Sequence, residues 1–224
     1  MRHVFISPHL DDAVLSGGGY ISFLAGKKQK ILIITVFSDF GQGPINLSAR
    51  RYMWHCGALT IKQFKAKRII EDRLAMKTIG TDYLHLGFTD AYFRRFYPNH
   101  RKLFSGRVNP ADKKLIDFIE KRLFSLVDRN DILYGPIGVG GHVDHVIVNQ
   151  IVKNLPAGKK LFWLDQPYAV DPEVKPQKLK MKRVNLTEAN IERKKQAVLC
   201  YSSQPVCRKF ANSPDLDKEY LTCD

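Results

Sequence analysis

The sequence predicts an α/β protein in which a mostly parallel sheet is flanked by helices on both faces. Two observations predict this fold class. Short apolar runs alternate along the chain with longer amphipathic segments, as in strands joined by helical crossovers. The clearest run, residues 30–37, is apolar and β-branched almost throughout, as expected for a strand buried on both faces of a parallel sheet. With 224 residues, the chain has the length for one domain, spanning residues 1–224.

The first strand and the first helix are predicted within residues 2–26. Residues 2–7 form a short apolar strand, and residues 14–25 form a helix that Gly26 ends. The three glycines at residues 17–19 are poor helix formers. We therefore expect this helix to pack very closely against a strand or to leave space for a ligand. A phosphate-binding loop is disfavoured because no glycine-rich P-loop pattern precedes the helix.

The rest of the chain continues the alternation. Helices are predicted at residues 49–57, 64–79, 110–127, 142–153 and 187–200. Strands are predicted at residues 83–86, 131–134 and 160–164, with an edge strand at residues 183–186. Residues 93–107 are basic, aromatic and irregular, which suits an active-site or interface loop. Residues 170–182 are expected to form a surface excursion, and the residues after 200 a tail-like closing segment.

Composition narrows the class of protein. No apolar stretch approaches the roughly 20 residues needed to span a bilayer, and strand-like sequence begins too early for a signal peptide. We therefore expect a cytoplasmic protein whose four cysteines, at positions 56, 200, 207 and 223, stay reduced. The net charge of +14 suits an anionic partner. Nucleic acid is nevertheless disfavoured, because the basic residues are dispersed and form no known recognition motif.

Two clusters of histidine and aspartate each follow a predicted strand. They comprise His9, Asp11 and Asp12 after the first strand, and His142, Asp144 and His145 after the fourth. The carboxyl ends of parallel strands lie at one edge of a sheet, where open α/β proteins bind ligands. Two histidines and one carboxylate with an open position form the catalytic zinc pattern, and the remaining polar groups can move protons. Either motif alone occurs by chance, so their joint placement predicts the metal site.

Two further residues each allow two interpretations. Arg68 is either part of the site or half of an ordinary i,i+4 salt bridge with Asp72. Asp90 follows the third predicted strand, and it is either a site residue or an aspartate that caps a loop.

The motifs resemble those of the PIG-L/LmbE-like deacetylases. The resemblance lies in Pro-His-Leu-Asp-Asp-Ala at residues 8–13, followed by the glycines at 17–19, and in Gly-His-Val-Asp-His at residues 141–145. Further similar segments lie at residues 68–75, 86–91, 165–168 and 195–204, so that the resemblance covers nearly the whole chain. It implies a Rossmann-like fold and a zinc-dependent enzyme that removes acetyl groups from N-acetylglucosamine-type substrates.

The resemblance also implies a metal site. His9, Asp12 and His145 match the zinc ligands of the family. The implied cofactor is Zn²⁺, with another divalent metal as the alternative.

The resemblance implies roles for the other polar residues. Asp11 matches the general base that activates the water, and Asp144 matches a partner that orients a histidine. His142 matches the group that either stabilises the oxyanion or protonates the departing amine. Arg68 and Asp90 are similar to positions that bind the sugar hydroxyls.

The chain departs from the usual family pattern at three places. Ala13 stands where an acidic residue is usual, and Leu10 stands where proline is usual. Some relatives place a tyrosine near the second histidine motif to assist the oxyanion, whereas residues 139–141 of this chain are Val-Gly-Gly. These departures bear on the substrate more than on the chemistry.

The sequence therefore predicts a zinc-dependent hydrolase that removes an acetyl (acyl) group from the nitrogen of an N-acetylglucosamine-type sugar or glycoconjugate. Its partner would be a small-molecule N-acyl amino sugar. Two alternatives stay open. One is a basic Rossmann-like module that binds nucleic acid or anionic glycans without catalysis, and the other is a metalloamidase acting on non-sugar amides. The sequence leaves the oligomeric state open, a homo-oligomer included.

Overall fold

A seven-stranded sheet forms the centre of the protein. The computed structural model describes residues 1–170 and 180–222. Its strands are β1 (Arg2–Ser7), β2 (Lys30–Asp39), β3 (Asp82–Thr89), β4 (Ile132–Pro136), β5 (Lys159–Trp163), β6 (Met181–Arg183) and β7 (Tyr220–Thr222). They are ordered β3-β2-β1-β4-β5-β7-β6. The first five strands pair in parallel, while β7 is antiparallel to both β5 and β6. The predicted mostly parallel sheet is confirmed.

Helices cover both faces of the sheet. They are α1 (Asp12–Gly26), α2 (Leu47–His55), α3 (Ile61–Ile79), α4 (His100–Leu103), α5 (Lys113–Phe124), α6 (Val143–Asn154), α7 (Glu188–Leu199) and α8 (Pro205–Ala211). Side chains alternate between the faces along each strand. Phe5 and Ile33 therefore pack with α1, α3, α7 and α8, whereas Val4 and Ile34 pack with α5 and α6. Burial on both faces explains why these strands are continuously apolar.

The glycines of α1 allow close packing. A Cβ at Gly18 would lie 3.0 Å from Lys194 Cγ, and one at Gly19 would lie 2.5 Å from Leu186 Cδ1. Behind them, the buried Lys194 ammonium lies 2.8 Å from Glu219 Oε1. The same Glu219 carboxylate accepts hydrogen bonds from the N–H groups of Gly19 and Tyr20. The packing at Gly18 and Gly19 is therefore tight, but it is against Lys194 of α7 and against Leu186, and not against a strand as the sequence predicted.

The end of the chain differs from its predicted form. The prediction of a tail-like closing segment is wrong, because α8 packs into the core and β7 lies between β5 and the edge strand β6. A strand of three residues is too short to display the two-residue hydrophobic period of a strand.

Most of the loop predicted at residues 170–182 lies outside the described residues, as does Cys223. The other three cysteines are free thiols. Among the described helices, none is both long and apolar enough to cross a membrane.

The strand order places a crevice next to β1. The chain runs outward from β1 through β2 to β3, and then returns to continue through β4 on the other side. The connections at the carboxyl ends of β1 and β4 therefore separate, and open α/β sheets bind their ligands at this point. Helices α1 and α6 begin there.

Candidate metal centre and active site

A cavity of about 610 Å³ opens at the carboxyl ends of β1 and β4. Six of the eight predicted site residues line it: His9, Asp11, Asp12, Arg68, Asp90 and His142. The other two, Asp144 and His145, lie directly behind this wall and contact His9 and Asp12. The fold thus brings all eight residues together, although they come from four separate segments of the chain.

The three predicted metal ligands meet at one carboxylate oxygen. Asp12 Oδ2 lies 3.0 Å from His9 Nδ1 and 3.2 Å from His145 Nε2, and it also accepts the His9 N–H. A second arrangement is also compact, since one nitrogen each of His9, His142 and His145 lie within 4.8 Å of one another. His9 and His145 belong to both sets. The two arrangements differ only in the third ligand, which is Asp12 in the first and His142 in the second.

The surroundings of His145 fit a metal ligand. Its Nδ1 lies 2.7 Å from Asp165 Oδ1, and the other Asp165 oxygen accepts the N–H groups of Gly138 and Val139. This carboxylate–histidine pair leaves Nε2 to face the site. There, Nε2 is buried 3.2 Å from Asp12 Oδ2, without a well-aligned hydrogen bond to any of the described residues. Burial would lower the pKa of His145, but Asp12 and Asp165 raise it to about 9, so the site favours positive charge at this ring.

Like His145, His9 is oriented by a carboxylate, which contacts the ring nitrogen that faces away from Asp12. Its Nε2 lies 3.1 Å from Asp144 Oδ2, and the other Asp144 oxygen accepts a hydrogen bond of 2.7 Å from Arg94. Arg94 also donates to Asp112 and to the carbonyl of Thr89. Burial would raise the pKa of Asp144, but Arg94 and His9 hold it below its usual value. An ionised Asp144 therefore orients His9.

His142 is held as a neutral hydrogen-bond donor. Its Nδ1 accepts the backbone N–H of Asp144, at 3.2 Å, so the ring proton must sit on Nε2. Burial and the nearby rings of His9 and His145 lower the pKa of His142 well below its usual value. The ring lines the cavity with its edge against Phe104. It can therefore donate one hydrogen bond to an acceptor without carrying a charge.

Asp11 and Arg68 form a buried pair beside the metal-ligand candidates. Asp11 Oδ2 lies 3.2 Å from Arg68 Nη2. Two other guanidinium nitrogens of Arg68, Nε and Nη1, are buried without hydrogen bonds to the described residues. The alternative i,i+4 bridge is not formed, because Asp72 binds His85 at 2.6 Å and accepts the hydroxyl of Tyr201. Arg68 lines the cavity and also lies 4.0 Å from Glu71 through Nη1, so only its hydrogen bonds at Nε and Nη1 are left to a ligand.

Asp90 caps a loop, and its side chain also lines the cavity. One carboxylate oxygen accepts the N–H of Tyr92 and caps a short 3₁₀ turn. The other lies 3.7 Å from His9 Nε2, and the side chain lines the cavity. Burial raises the pKa of Asp90.

Two site residues escape prediction from the sequence. Arg94 lies within residues 93–107, which the sequence assigns to an active-site or interface loop without indicating this residue. Tyr168 lines the cavity and sets its ring edge against His145, with the ring centres 5.4 Å apart. Tyr168 also fills the space beside Gly140, where a Cβ would lie 2.9 Å from Tyr168 Cβ. The segment at residues 165–168 was noted in the sequence, but nothing in it indicated this contact.

The fold and site together define an α/β protein with a buried histidine–carboxylate centre at its switch point. The family profile for PIG-L, described as GlcNAc-PI de-N-acetylase, matches residues 4–155. The chain belongs to this family, whose members are de-N-acetylases.

Individual relatives agree with this assignment. The 2'-N-acetylparomamine deacetylase of Streptomyces fradiae is 29% identical over 174 residues, which are 75% of this chain and 58% of the relative. The chain thus spans little more than half the length of that protein. A crystal structure of a deacetylase from teicoplanin biosynthesis superposes with a TM-score of 0.77 and 26% identity, covering 96% of this chain and 88% of the other. The zinc-inhibited form of a teicoplanin deacetylase gives 0.74 and 27%, covering 91% and 85%.

Proposed function

We propose that this protein is a metal-dependent hydrolase that removes the acetyl group from the nitrogen of an N-acetylglucosamine-type sugar or glycoconjugate. One observation carries the proposal. Two carboxylate-backed histidines, His9 and His145, face a cavity that also holds Asp11 and the neutral His142. Supporting it, the relatives include a 2'-N-acetylparomamine deacetylase and a teicoplanin deacetylase.

We assign the metal to His9, Asp12 and His145. The buried Nε2 of His145, which lies 3.2 Å from Asp12 Oδ2 without a well-aligned hydrogen bond, supports this choice. The charge of Asp12 favours it over the neutral His142 as the third ligand. Two imidazoles and a carboxylate suit zinc. When bound, such an ion lowers the pKa of a water to about 7 and polarises a carbonyl.

The other residues then act on the amide. Asp11 takes the proton of the attacking water and, after the C–N bond breaks, returns it to the departing amine. His142 donates its Nε2 hydrogen bond to the carbonyl oxygen as negative charge develops there. Because His142 is neutral and its proton is fixed on Nε2, stabilising the oxyanion suits it better than protonating the amine.

The sugar would lie between Arg68 and Asp90. The unpaired N–H groups of Arg68 suit hydroxyl oxygens, and the carboxylate of Asp90 suits hydroxyl protons. The cavity, at about 610 Å³, has the size that holds a drug-sized ligand. A conjugated amino sugar therefore suits it better than a free monosaccharide.

An acetate-release assay tests the proposal. N-acetylglucosamine, its glycosides, N-acetylated aminoglycosides and N-acetyl amino acids are compared, with and without a chelator. We expect release from the sugar conjugates that chelation abolishes and Zn²⁺ restores. Because a related structure is described as zinc-inhibited, Zn²⁺ is titrated alongside Co²⁺ and Mn²⁺. Release that survives chelation contradicts the metal, and release from the N-acetyl amino acids alone contradicts the sugar.

A further inference from the structure

Two stretches of the chain that line the cavity mouth carry basic residues and no acidic ones. Residues 40–70 contain six Lys and Arg, and residues 91–111 contain five, yet neither stretch contains Asp or Glu. The first contributes Arg51 and His55 to the cavity wall, and the second contributes His100 and Phe104. Three of these eleven are neutralised, since Arg68 and Arg94 are buried in ion pairs and Lys65 pairs with Asp39. The other eight leave an excess of positive charge around the mouth, although the basic residues are dispersed in the sequence.

Large apolar side chains are exposed on the same side. Leu47 is 82% exposed, Trp54 67% and Leu59 80%. Leu47 and Trp54 lie seven residues apart on α2, which is two helical turns, so they share one side of it. Trp54, Leu59 and Arg50 line one shallow groove. Lys62 is exposed and directly follows Ile61, which lines the same groove. We call Leu47, Arg50, Trp54, Leu59 and Lys62 the α2 surface.

We propose that the α2 surface docks on an anionic lipid bilayer. Exposed tryptophan and leucine among lysine and arginine are the side chains that hold a protein in the headgroup layer. A soluble anion would match the positive charge, but it would leave Leu47 and Leu59 without an apolar environment. A bilayer with anionic lipids matches both features. Because Ser48, Arg51 and His55 of α2 line the cavity, docking sets the mouth against the headgroups.

The chain carries a built-in probe for this contact. It contains two tryptophans: Trp54 is exposed, and Trp163 is fully buried in the sheet. A change in tryptophan emission on adding vesicles therefore reports on Trp54. With phosphatidylcholine vesicles that contain phosphatidylserine, we expect a blue shift and quenching by brominated lipid. Phosphatidylcholine alone should give neither, and high salt should weaken the response because it screens the charges.

Substitutions locate the contact by co-sedimentation with the same vesicles. Trp54→Ser/Leu59→Ser should lower the partition coefficient by at least about tenfold, and Arg50→Gln/Lys62→Gln by about fivefold for each cation removed. The matched control is Phe118→Ser/Lys121→Gln on α5, where Phe118 is 66% exposed. This control should bind as the unchanged protein does.

Three results would overturn the proposal. They are an absence of binding to the anionic vesicles, full binding by Trp54→Ser/Leu59→Ser, and an equal loss in the α5 control. Binding to heparin or to an oligonucleotide while the vesicles stay unbound is a case of the first result, and it would point to a soluble polyanion instead. The measurements read binding and not turnover, so their outcome is independent of the proposed deacetylation.

Discussion

At the scale of single residues, carboxylates set the roles of the histidines in the site. Asp165 holds His145 by Nδ1, and Asp144 holds His9 by Nε2. The two rings therefore present their other nitrogens towards Asp12. His142 differs from both, because its Nδ1 accepts a backbone N–H. Three histidines in one cluster thus have two kinds of partner, and we infer two kinds of function from this difference.

Replacing Asp11 tests the general base. Asp11→Asn keeps the shape of the side chain and should leave the metal bound, while removing the group that takes the proton. General-base catalysis contributes about 10²- to 10⁴-fold, so we expect kcat to fall by about that factor with unchanged metal content by elemental analysis. Full turnover in Asp11→Asn would refute the assignment.

Metal content distinguishes the two candidates for the third ligand. If Asp12 is the ligand, Asp12→Ala and His145→Ala should purify without metal, whereas His142→Ala should keep the metal and lose turnover. Asp165→Asn should weaken metal binding by about 10- to 100-fold, because it loosens the orientation of His145. A His142→Ala protein without metal, beside a loaded Asp12→Ala protein, would move the site to the three histidines.

Gly140 is expected to resist any side chain. Its φ of +82° is unfavourable for other residues, and its Cβ would overlap Tyr168. Gly140→Ala should therefore lower stability by about 1–3 kcal/mol, measured by urea unfolding. Gly26→Ala is the control, because a Cβ there meets nothing within 4 Å, and it should unfold at the same urea concentration or higher.

At the scale of elements, α1 and α7 are joined to the last segment of the chain through a buried charge pair. Lys194 and Glu219 are both within 1% of full burial at their side chains. Glu219 also accepts two N–H groups of α1, and it directly precedes β7. The pair therefore ties the final strand to the helices over the sheet.

Breaking this pair should be strongly destabilising. Glu219→Gln leaves the Lys194 ammonium buried without its counter-charge, and such a loss typically costs about 3–5 kcal/mol. Lys194→Met/Glu219→Gln removes both charges and should recover much of that loss, as read from urea unfolding. Arg183→Gln, which breaks the exposed pair with Asp217, should change little. A Glu219→Gln protein as stable as the parent would show that the pair does not hold the elements together.

The elements differ in how far the sequence predicts them. Strands β1 and β2 are apolar throughout because both of their faces are buried, and α3 begins with the capping box of Thr60 and Gln63. These features are local, so they can be read from the chain. Strand β7 is stable only because β5 and β6 lie on either side of it. No local sequence pattern predicts this pairing.

The same distinction applies to the site. The histidine motifs were visible because their residues are three apart. Arg94 lies 50 residues from Asp144, and Tyr168 is brought to Gly140 by a separate strand, so only the fold pairs them. The ligand set, the base and the sugar contacts stay predictions, as does the cytoplasmic location.

At the scale of the whole molecule, the fold separates charge. Basic side chains surround the cavity mouth, while Asp12, Asp90 and Asp144 are buried behind it around His9. The guanidinium of Arg94 balances the negative charge of Asp144. A divalent cation between the histidines would balance the remaining carboxylates and link α1, which carries Asp12, to α6, which carries His145.

Removing the metal should therefore destabilise the entire fold and not only stop turnover. A ligand that binds only the folded state at 1,000 times its Kd stabilises it by about 4 kcal/mol, which for a chain of this size raises Tm by roughly 10 °C. We expect thermal unfolding to shift down by that order on chelation and to recover with Zn²⁺. His145→Ala should unfold at one temperature whether or not metal is present, because it lacks the ligand that connects α6 to the site. If the Tm of the parent protein changes with neither chelator nor Zn²⁺, no ion bridges the two helices. This conclusion would hold whatever the assay of acetate release shows.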